Sequence, residues 1–487
     1  MIGPLKALTR RLDRSDATRT ALWAIAAYIL VITAIRLFAS PFLEIDEAQF
    51  VGNVDLRLVY GNSHPPLYNW LVRGLLEATG WRWALAVALL RAALLGLTLF
   101  FVLDAGRRLG GTVAGILALC CALLSPQVSW MSAHTLAHSL LVMAAAAGVL
   151  HGVALLLTGA RGGLVAMAFW AGAGLLAKYN IGLLLAPLAV ALLAEPGVRA
   201  ELARRRGELP LAIPVFAVLA GTAVLGVLRA PGEATGRMSK LYREGPFAGF
   251  DVPLLGVDGA LSLAIAVLTW GGISLALIAI AWRGSPPAAP VAARILRRTI
   301  VIGLFGFALF VIVADISAVH ERYLTPLLMA LPLLAGLHLA NVPWRTVVVA
   351  AGLATMVAVP AGVVGMVAFD KHRFARPYEA LAAPLTTLAP PGAVEVRSTS
   401  SDLAANMTIA LERHGRQTHV YGDRLAGAAP QTLVQIEPEG WPVPDHTGQG
   451  WCVKDDLALS TAYNNLSDRM MGITAVIHVR CSANGQN

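Results

Sequence analysis

Two carboxylates stand side by side in a short polar segment, Glu44-Ile45-Asp46-Glu47-Ala48-Gln49, just after the first apolar stretch of the chain, and His64-Pro65-Pro66-Leu67-Tyr68-Asn69-Trp70 follows them. A carboxylate held near the headgroup boundary of a bilayer is partly desolvated, which suits it to act as general base toward a hydroxyl nucleophile. The bland alternative is a solvated acidic loop. Trp70, Trp81 and Trp83 argue for an interfacial segment, and the Pro65-Pro66 step stiffens the backbone between the two motifs. Further on, His134 and His138 have the spacing of one helical turn. On a shared face they could join His64 and Asp46 around a divalent metal, or instead hydrogen-bond neighbouring helices.

The elements that must position these groups are membrane helices. Hydrophobic residues make up 57% of the 487 and charged residues 14%, so a soluble fold would leave much apolar surface in water. Apolar runs predict an α-helical polytopic membrane protein of about eleven transmembrane helices, the first at 21–38, the second and third at 83–103 and 112–124, the last at 347–369. The runs at 164–176 and 181–193 are short enough to form a hairpin that does not fully cross. Lys6, Arg10, Arg11, Arg14 and Arg19 precede the first span, and Arg107-Arg108, Arg161, Arg204-Arg205-Arg206, Arg294, Arg297-Arg298 and Arg345 fall in alternate loops. With eleven spans these share one side, which the positive-inside rule makes cytoplasmic. Asp46, Glu47, His64 and the tail then face the periplasm of a multi-pass bacterial inner-membrane protein.

Two domains are expected: a membrane domain over 1–369 and a small periplasmic α/β domain over 370–487. In the tail, 394–396 and 418–421 read as strands and 402–413 as a helix. Cys452 and Cys481 are the tail's two cysteines, and an oxidising compartment would permit them to pair. Cys120 and Cys121 lie inside a span as small packing residues. The first apolar run is too long for a signal peptide and reads as an uncleaved anchor. The net charge of +9 follows from the Arg clusters and their anionic lipid partners, and no stretch suggests nucleic-acid binding.

From Asp46-Glu47-Ala48, His64-Pro65-Pro66-Leu67, Gly174-Leu175-Leu176-Ala177-Lys178-Tyr179 and Glu321-Arg322-Tyr323-Leu324-Thr325-Pro326, together with Arg91 and the Gly106-Arg107-Arg108-Leu109-Gly110 turn, the membrane region resembles the family 39 glycosyltransferases of the GT-C fold. These include protein O-mannosyltransferases, aminoarabinose transferases of lipid A and rhizobial galacturonic acid transferases. The order of the motifs along the chain is more specific than any one of them, and the tail takes no part in it.

The resemblance implies transfer of a sugar, usually with inversion, from a polyprenyl-phosphate carrier to an acceptor hydroxyl on an envelope lipid, glycan or protein. Asp46 would be the base, with Glu47 supporting it or holding the acceptor. A departing phosphate needs cations at the membrane boundary. Lys178 with Tyr179, Arg322 with Tyr323, and the loop carrying Arg237, Lys240, Tyr242 and Arg243 are the candidates; snorkelling and headgroup anchoring are their alternatives. His64, Arg91, His320 and Glu321 complete the expected substrate-binding set. The chain departs from the family where an Asp often opens the fourth span, having Ser132-Ala133-His134-Thr135 there, and where aminoarabinose transferases carry an acidic residue in place of His64. The tail has no nucleotide-binding loop, nucleophile elbow or metal helix, which leaves it acceptor recognition or a cover for the site. A transporter or lipid flippase is the alternative; it would place paired ionisable groups and broken helices near the midplane of two repeated halves, and no such repeat is visible.

Overall fold

The computed structural model describes residues 16–60, 64–236, 257–282, 286–369, 376–420, 432–444, 451–462 and 470–481. The protein is a mostly helical multi-pass membrane protein with a small sheet near its C-terminus. Among the described residues seven helices are long and apolar enough to cross a bilayer, or up to nine if each of two bent pairs is one span. The expected eleven is therefore not reached by length and composition. Two local features account for the gap. Gly163–Ala177 is apolar but only 15 residues long. The 41-residue helix Trp83–Leu123 is interrupted at Gly111, whose φ of 85° suits glycine. A Cβ on Gly115 would lie 2.5 Å from the Leu103 carbonyl oxygen, so the segment after Gly111 folds back on the one before it.

The bent pairs have a local cause. Glu321–Leu328 and Ala330–Leu339 meet at 52°. Pro332 cannot donate to the Leu328 carbonyl and its ring crowds that turn, so the helix breaks at Met329. Tyr179–Leu193 and Pro196–Arg204 meet at 97°, with Pro196 opening the second helix. Several basic residues of the loops are tied to carboxylates: Arg107 and Arg108 to Asp104, Arg294 and Arg298 to Glu195, Arg204 and Arg205 to Glu201.

The chain divides into two compact units. The first comprises Met1–Val31, Arg57–Tyr68 and Arg91–Val359; the second comprises Ile32–Leu56, Asn69–Leu90 and Pro360–Asn487. The second is thus larger than the tail expected over 370–487, because it takes in the loop after the first span. Its sheet has five strands in the order β2-β1-β3-β5-β4. β1 (Val394–Arg397) lies parallel to β2 (Thr418–Val420) and to β3 (Thr432–Pro438), while β5 (Met470–Arg480) pairs antiparallel with both β3 and β4 (Trp451–Ala462). Parallel β1 and β2 need a crossover, and helix Ser401–Arg413 supplies it. β3 is buried from Thr432 to Glu437, as befits a central strand. Cys452 and Cys481 are joined by a disulfide near the ends of β4 and β5, with Cα atoms 5.2 Å apart.

Candidate active site

In the second unit the acidic loop is built around one buried arginine. Arg36, on the last turn of helix Ala17–Ala39, is 2% exposed. Its Nη1 donates to the Ser40 carbonyl and its Nη2 to the Phe42 carbonyl, both at 2.9 Å, and Nη2 also meets Glu47 Oε2 at 2.9 Å. Glu47, fully buried, also accepts the Glu44 backbone N–H at 3.0 Å. The Glu44 side chain caps the other way, on the Ile45 N–H, so the helix Ile45–Ala48 carries a reciprocal capping box. Leu43 is clamped by Asn406 of helix Ser401–Arg413. Its N–H donates to Asn406 Oδ1 at 2.7 Å, and Asn406 Nδ2 donates to its carbonyl at 3.0 Å. Phe42 packs edge-on against Tyr378, their centroids 5.0 Å apart.

Those contacts separate the two neighbouring carboxylates. Glu47 is committed to holding the backbone. Asp46 is half-exposed, and its side chain has no hydrogen bond or ion pair among the described residues. A carboxylate on a fixed backbone with its oxygens open is what proton abstraction from a hydroxyl requires.

In the first unit a second polar group forms where several helices end. The His64 ring stacks on His138 with centroids 3.8 Å apart, and Tyr68 lies 4.9 Å from His138. Next to His138, Ser139 Oγ accepts Lys178 Nζ at 3.0 Å. Asn180 Nδ2 donates to the Tyr323 carbonyl at 2.8 Å, and Gln127 Nε2 donates to Glu321 Oε1 at 3.0 Å. Three sequence motifs, at 64–68, 174–179 and 321–323, are therefore brought to one place, and the segment 127–139 joins them. Gly174 allows this: a Cβ there would be 2.8 Å from Ile181, so the helix end can lie against the turn that carries Tyr179 and Asn180. Ser262 bonds both the N–H and the carbonyl of Val319, which fixes the start of the Glu321 helix. Arg322 is half-buried and makes no side-chain hydrogen bond or ion pair among the described residues. His320 is exposed, its ring 5.4 Å from Tyr323. Arg91 is buried and donates to the Ala133 carbonyl at 2.9 Å.

The expected metal pair takes a different form. His134 ends a short helix, Thr135 to Ala137 leave helical geometry, and His138 opens the next helix, so the two do not share a helical face. A π-helical turn at Gln127–Met131 precedes the break. His134 Nδ1 lies 2.7 Å from the Trp130 carbonyl, while His138 stacks on His64. Among the described residues no three His, Cys, Asp or Glu side chains gather around a common point, so the arrangement does not fit a bound divalent cation. Burial holds the His134 imidazole below the usual histidine range, and the Arg91 charge adds to this against the Trp130 hydrogen bond. Arg237, Lys240, Tyr242 and Arg243 lie outside the described residues.

Sequence reasoning missed Arg36, Gln127, Ser139, Asn180 and Asn406. A signal existed for Arg36, since a lone arginine inside an apolar span is costly unless it is used. The others are polar residues whose partners are remote in sequence.

Residues 63–224 match the family described as dolichyl-phosphate-mannose-protein mannosyltransferase. The chain is similar to the family 39 membrane glycosyltransferases and has a GT-C fold. It is 28% identical over 390 residues to the lipopolysaccharide core galacturonosyltransferase RgtB of Rhizobium johnstonii, covering 76% of this chain and 77% of that one. To RgtA of the same organism, also a lipopolysaccharide core galacturonosyltransferase, it is 26% identical, over 66% of this chain and 65% of that one. The fold is similar to that of ArnT from Cupriavidus metallidurans in the apo state, with a TM-score of 0.60 at 15% identity over 93% of this chain and 97% of that one. The arabinofuranosyltransferase AftD from Mycobacteria is similar with a TM-score of 0.50 at 16% identity, over 97% of this chain and 40% of that one. In this glycosyltransferase the matched family region holds the His64, Gln127, His138 and Lys178 segments; Asp46 and Glu321 lie outside it.

Proposed function

We propose that the protein transfers a sugar from a polyprenyl-phosphate carrier to an acceptor hydroxyl on the periplasmic face of the inner membrane, with Asp46 as the base. The observation that carries this reading is the split between adjacent carboxylates: Glu47 is consumed by Arg36 and the Glu44 N–H, and Asp46 is left open. In the reaction the acceptor oxygen attacks the anomeric carbon as its proton passes to Asp46. The bond from that carbon to the carrier phosphate breaks, and its electron pair leaves with the phosphate oxygen. A single displacement of this kind inverts the anomeric centre. Arg322 and Lys178 are the cations assigned to the departing phosphate, worth most in a site screened from water. His64, Arg91, Tyr179, His320, Glu321 and Tyr323 are assigned to substrate binding.

The two curated relatives carry the name lipopolysaccharide core galacturonosyltransferase, which favours a uronic acid as the sugar and an envelope glycolipid as the acceptor. Mass spectrometry of envelope lipids and glycans from a deletion strain tests both. The expected result is one component lighter by a single sugar, restored by the wild-type gene and not by Asp46→Asn. Envelope components identical to the parent strain would refute the assignment.

A further inference from the structure

Within the second unit an open groove of about 670 Å3 lies between the end of the first span, the start of the second and the outer turn of helix Ser401–Arg413. Its apolar wall is Leu37, Phe38, Trp83, Leu85 and Ile409; its polar rim is Arg82, Glu412 and Arg413. Phe38 is 91% exposed, a large aromatic surface. Leu37 and Phe38 close an apolar helix and Trp83 to Leu85 open the next, so the groove lies where spans leave the hydrocarbon and tryptophans sit at headgroup level.

The rim carries two arginines and one carboxylate. Arg413 is paired with Glu379, and Glu412 accepts the Thr418 hydroxyl. Arg82 is exposed and makes no side-chain hydrogen bond or ion pair among the described residues. The neighbouring Trp81 adopts φ of 61°, a left-handed conformation that a tryptophan takes only at a cost. That turn is held in place from two sides. The Trp81 N–H bonds the Leu76 carbonyl at 2.7 Å, and Arg73 lies over the indole at 4.9 Å, its own Nε bonded to Glu77. The strain fixes the direction in which the chain leaves Trp81, and Arg82 lines the groove beside Trp83.

We propose that this groove binds one lipid with a phosphorylated headgroup, drawn from the bilayer, with its acyl chain along Phe38 and Leu37 and its headgroup on Arg82. The occupant is amphiphilic because the wall is apolar and lies at a membrane boundary, and it is anionic because the one charge on the rim without a partner among the described residues is a guanidinium. The site is independent of Asp46 chemistry, and its occupancy can be read without any turnover.

The test is native mass spectrometry of the full chain released from nanodiscs of phosphatidylcholine doped with phosphatidylglycerol. The wild type should retain one phosphatidylglycerol in preference to phosphatidylcholine. Arg82→Ala should lower that retention by roughly fivefold, the worth of one basic side chain at a headgroup. Phe38→Ser should lower retention of both lipids, and added inorganic phosphate should displace neither. Equal retention of the two lipids, or wild-type retention in both variants, would overturn the proposal. Displacement by inorganic phosphate would overturn it in favour of a free-anion site. Thermal melts of each variant in detergent check that both are folded, and Arg82→Lys, which keeps the charge, should restore the preference.

Discussion

Replacing Glu47 with glutamine and Asp46 with asparagine should separate scaffold from chemistry at adjacent residues. Glu47 is fully buried and Arg36 is 2% exposed, so neither charge has water to fall back on. Removing one partner of such a pair costs about 3 to 5 kcal/mol, because the other is left buried and uncompensated. Taking the lower bound, the loop held by Arg36 through Ser40, Phe42 and Glu47 should open roughly a hundredfold more often in Glu47→Gln. Hydrogen exchange of the full chain in nanodiscs reads this directly, at the amides of Glu44, Glu47 and Ala48, which close the turn. Asp46→Asn removes no side-chain hydrogen bond or ion pair among the described residues, so exchange should stay at the wild-type rate while sugar transfer falls about a hundred- to ten-thousandfold. Transfer by Glu47→Gln should fall less, since the closed loop remains the major state. An Asp46→Asn protein transferring at the wild-type rate would remove Asp46 as base, whereas unchanged exchange in Glu47→Gln would remove the ion pair as the loop's anchor.

Arg322→Ala should cut transfer roughly ten- to hundredfold, the worth of a charged hydrogen bond to the leaving phosphate, and a steady-state assay showing unchanged donor KM and kcat would move that role to Lys178. Asn406→Leu leaves both the N–H and the carbonyl of Leu43 without their partners, so exchange should rise at Leu43 and the protein should lose about 2 to 6 kcal/mol, two unmet buried groups at 1 to 3 each; an unchanged melting midpoint in detergent contradicts this. Loss of the Cys452–Cys481 bridge in the double serine variant should cost about 3 to 4 kcal/mol for a loop of its length, read as faster exchange along β4 and β5, with no acceleration counting against it. His134 binds a proton less readily folded than unfolded, so the unfolded state gains protons first as pH falls. Its contribution to stability is full above about pH 6.5 and declines below it, and His134→Gln should flatten that acid limb of the melting profile.

Different physics governs the parts of this chain that its sequence discloses and the parts it does not. Bilayer crossing is a bulk property of consecutive residues, so apolar runs mark the helices; the reversal at Gly111 follows the basic Gly106-Arg107-Arg108-Leu109-Gly110 turn between two such runs, and the crossover helix at Ser401–Arg413 shows as a local period. β3, β4 and β5 went unrecognised, because β3 is buried on both faces and lacks alternation, and β4 carries Lys454, Asp455 and Asp456 where it is bulged. The histidine pair failed for a similar reason: four-residue spacing implies one face only while the helix is unbroken, and the break at Thr135 to Ala137 leaves no mark in composition. At the acidic loop the sequence marks both carboxylates equally. What distinguishes them is Arg36, ten or more residues earlier, and Asn406, 363 positions from the Leu43 it clamps. A lone arginine within an apolar span is the one local sign that the loop beyond it is anchored. An arginine so placed needs acceptors, and once Arg36 has taken Glu47 as one of them, the neighbour left without a partner among the described residues is the one available for chemistry.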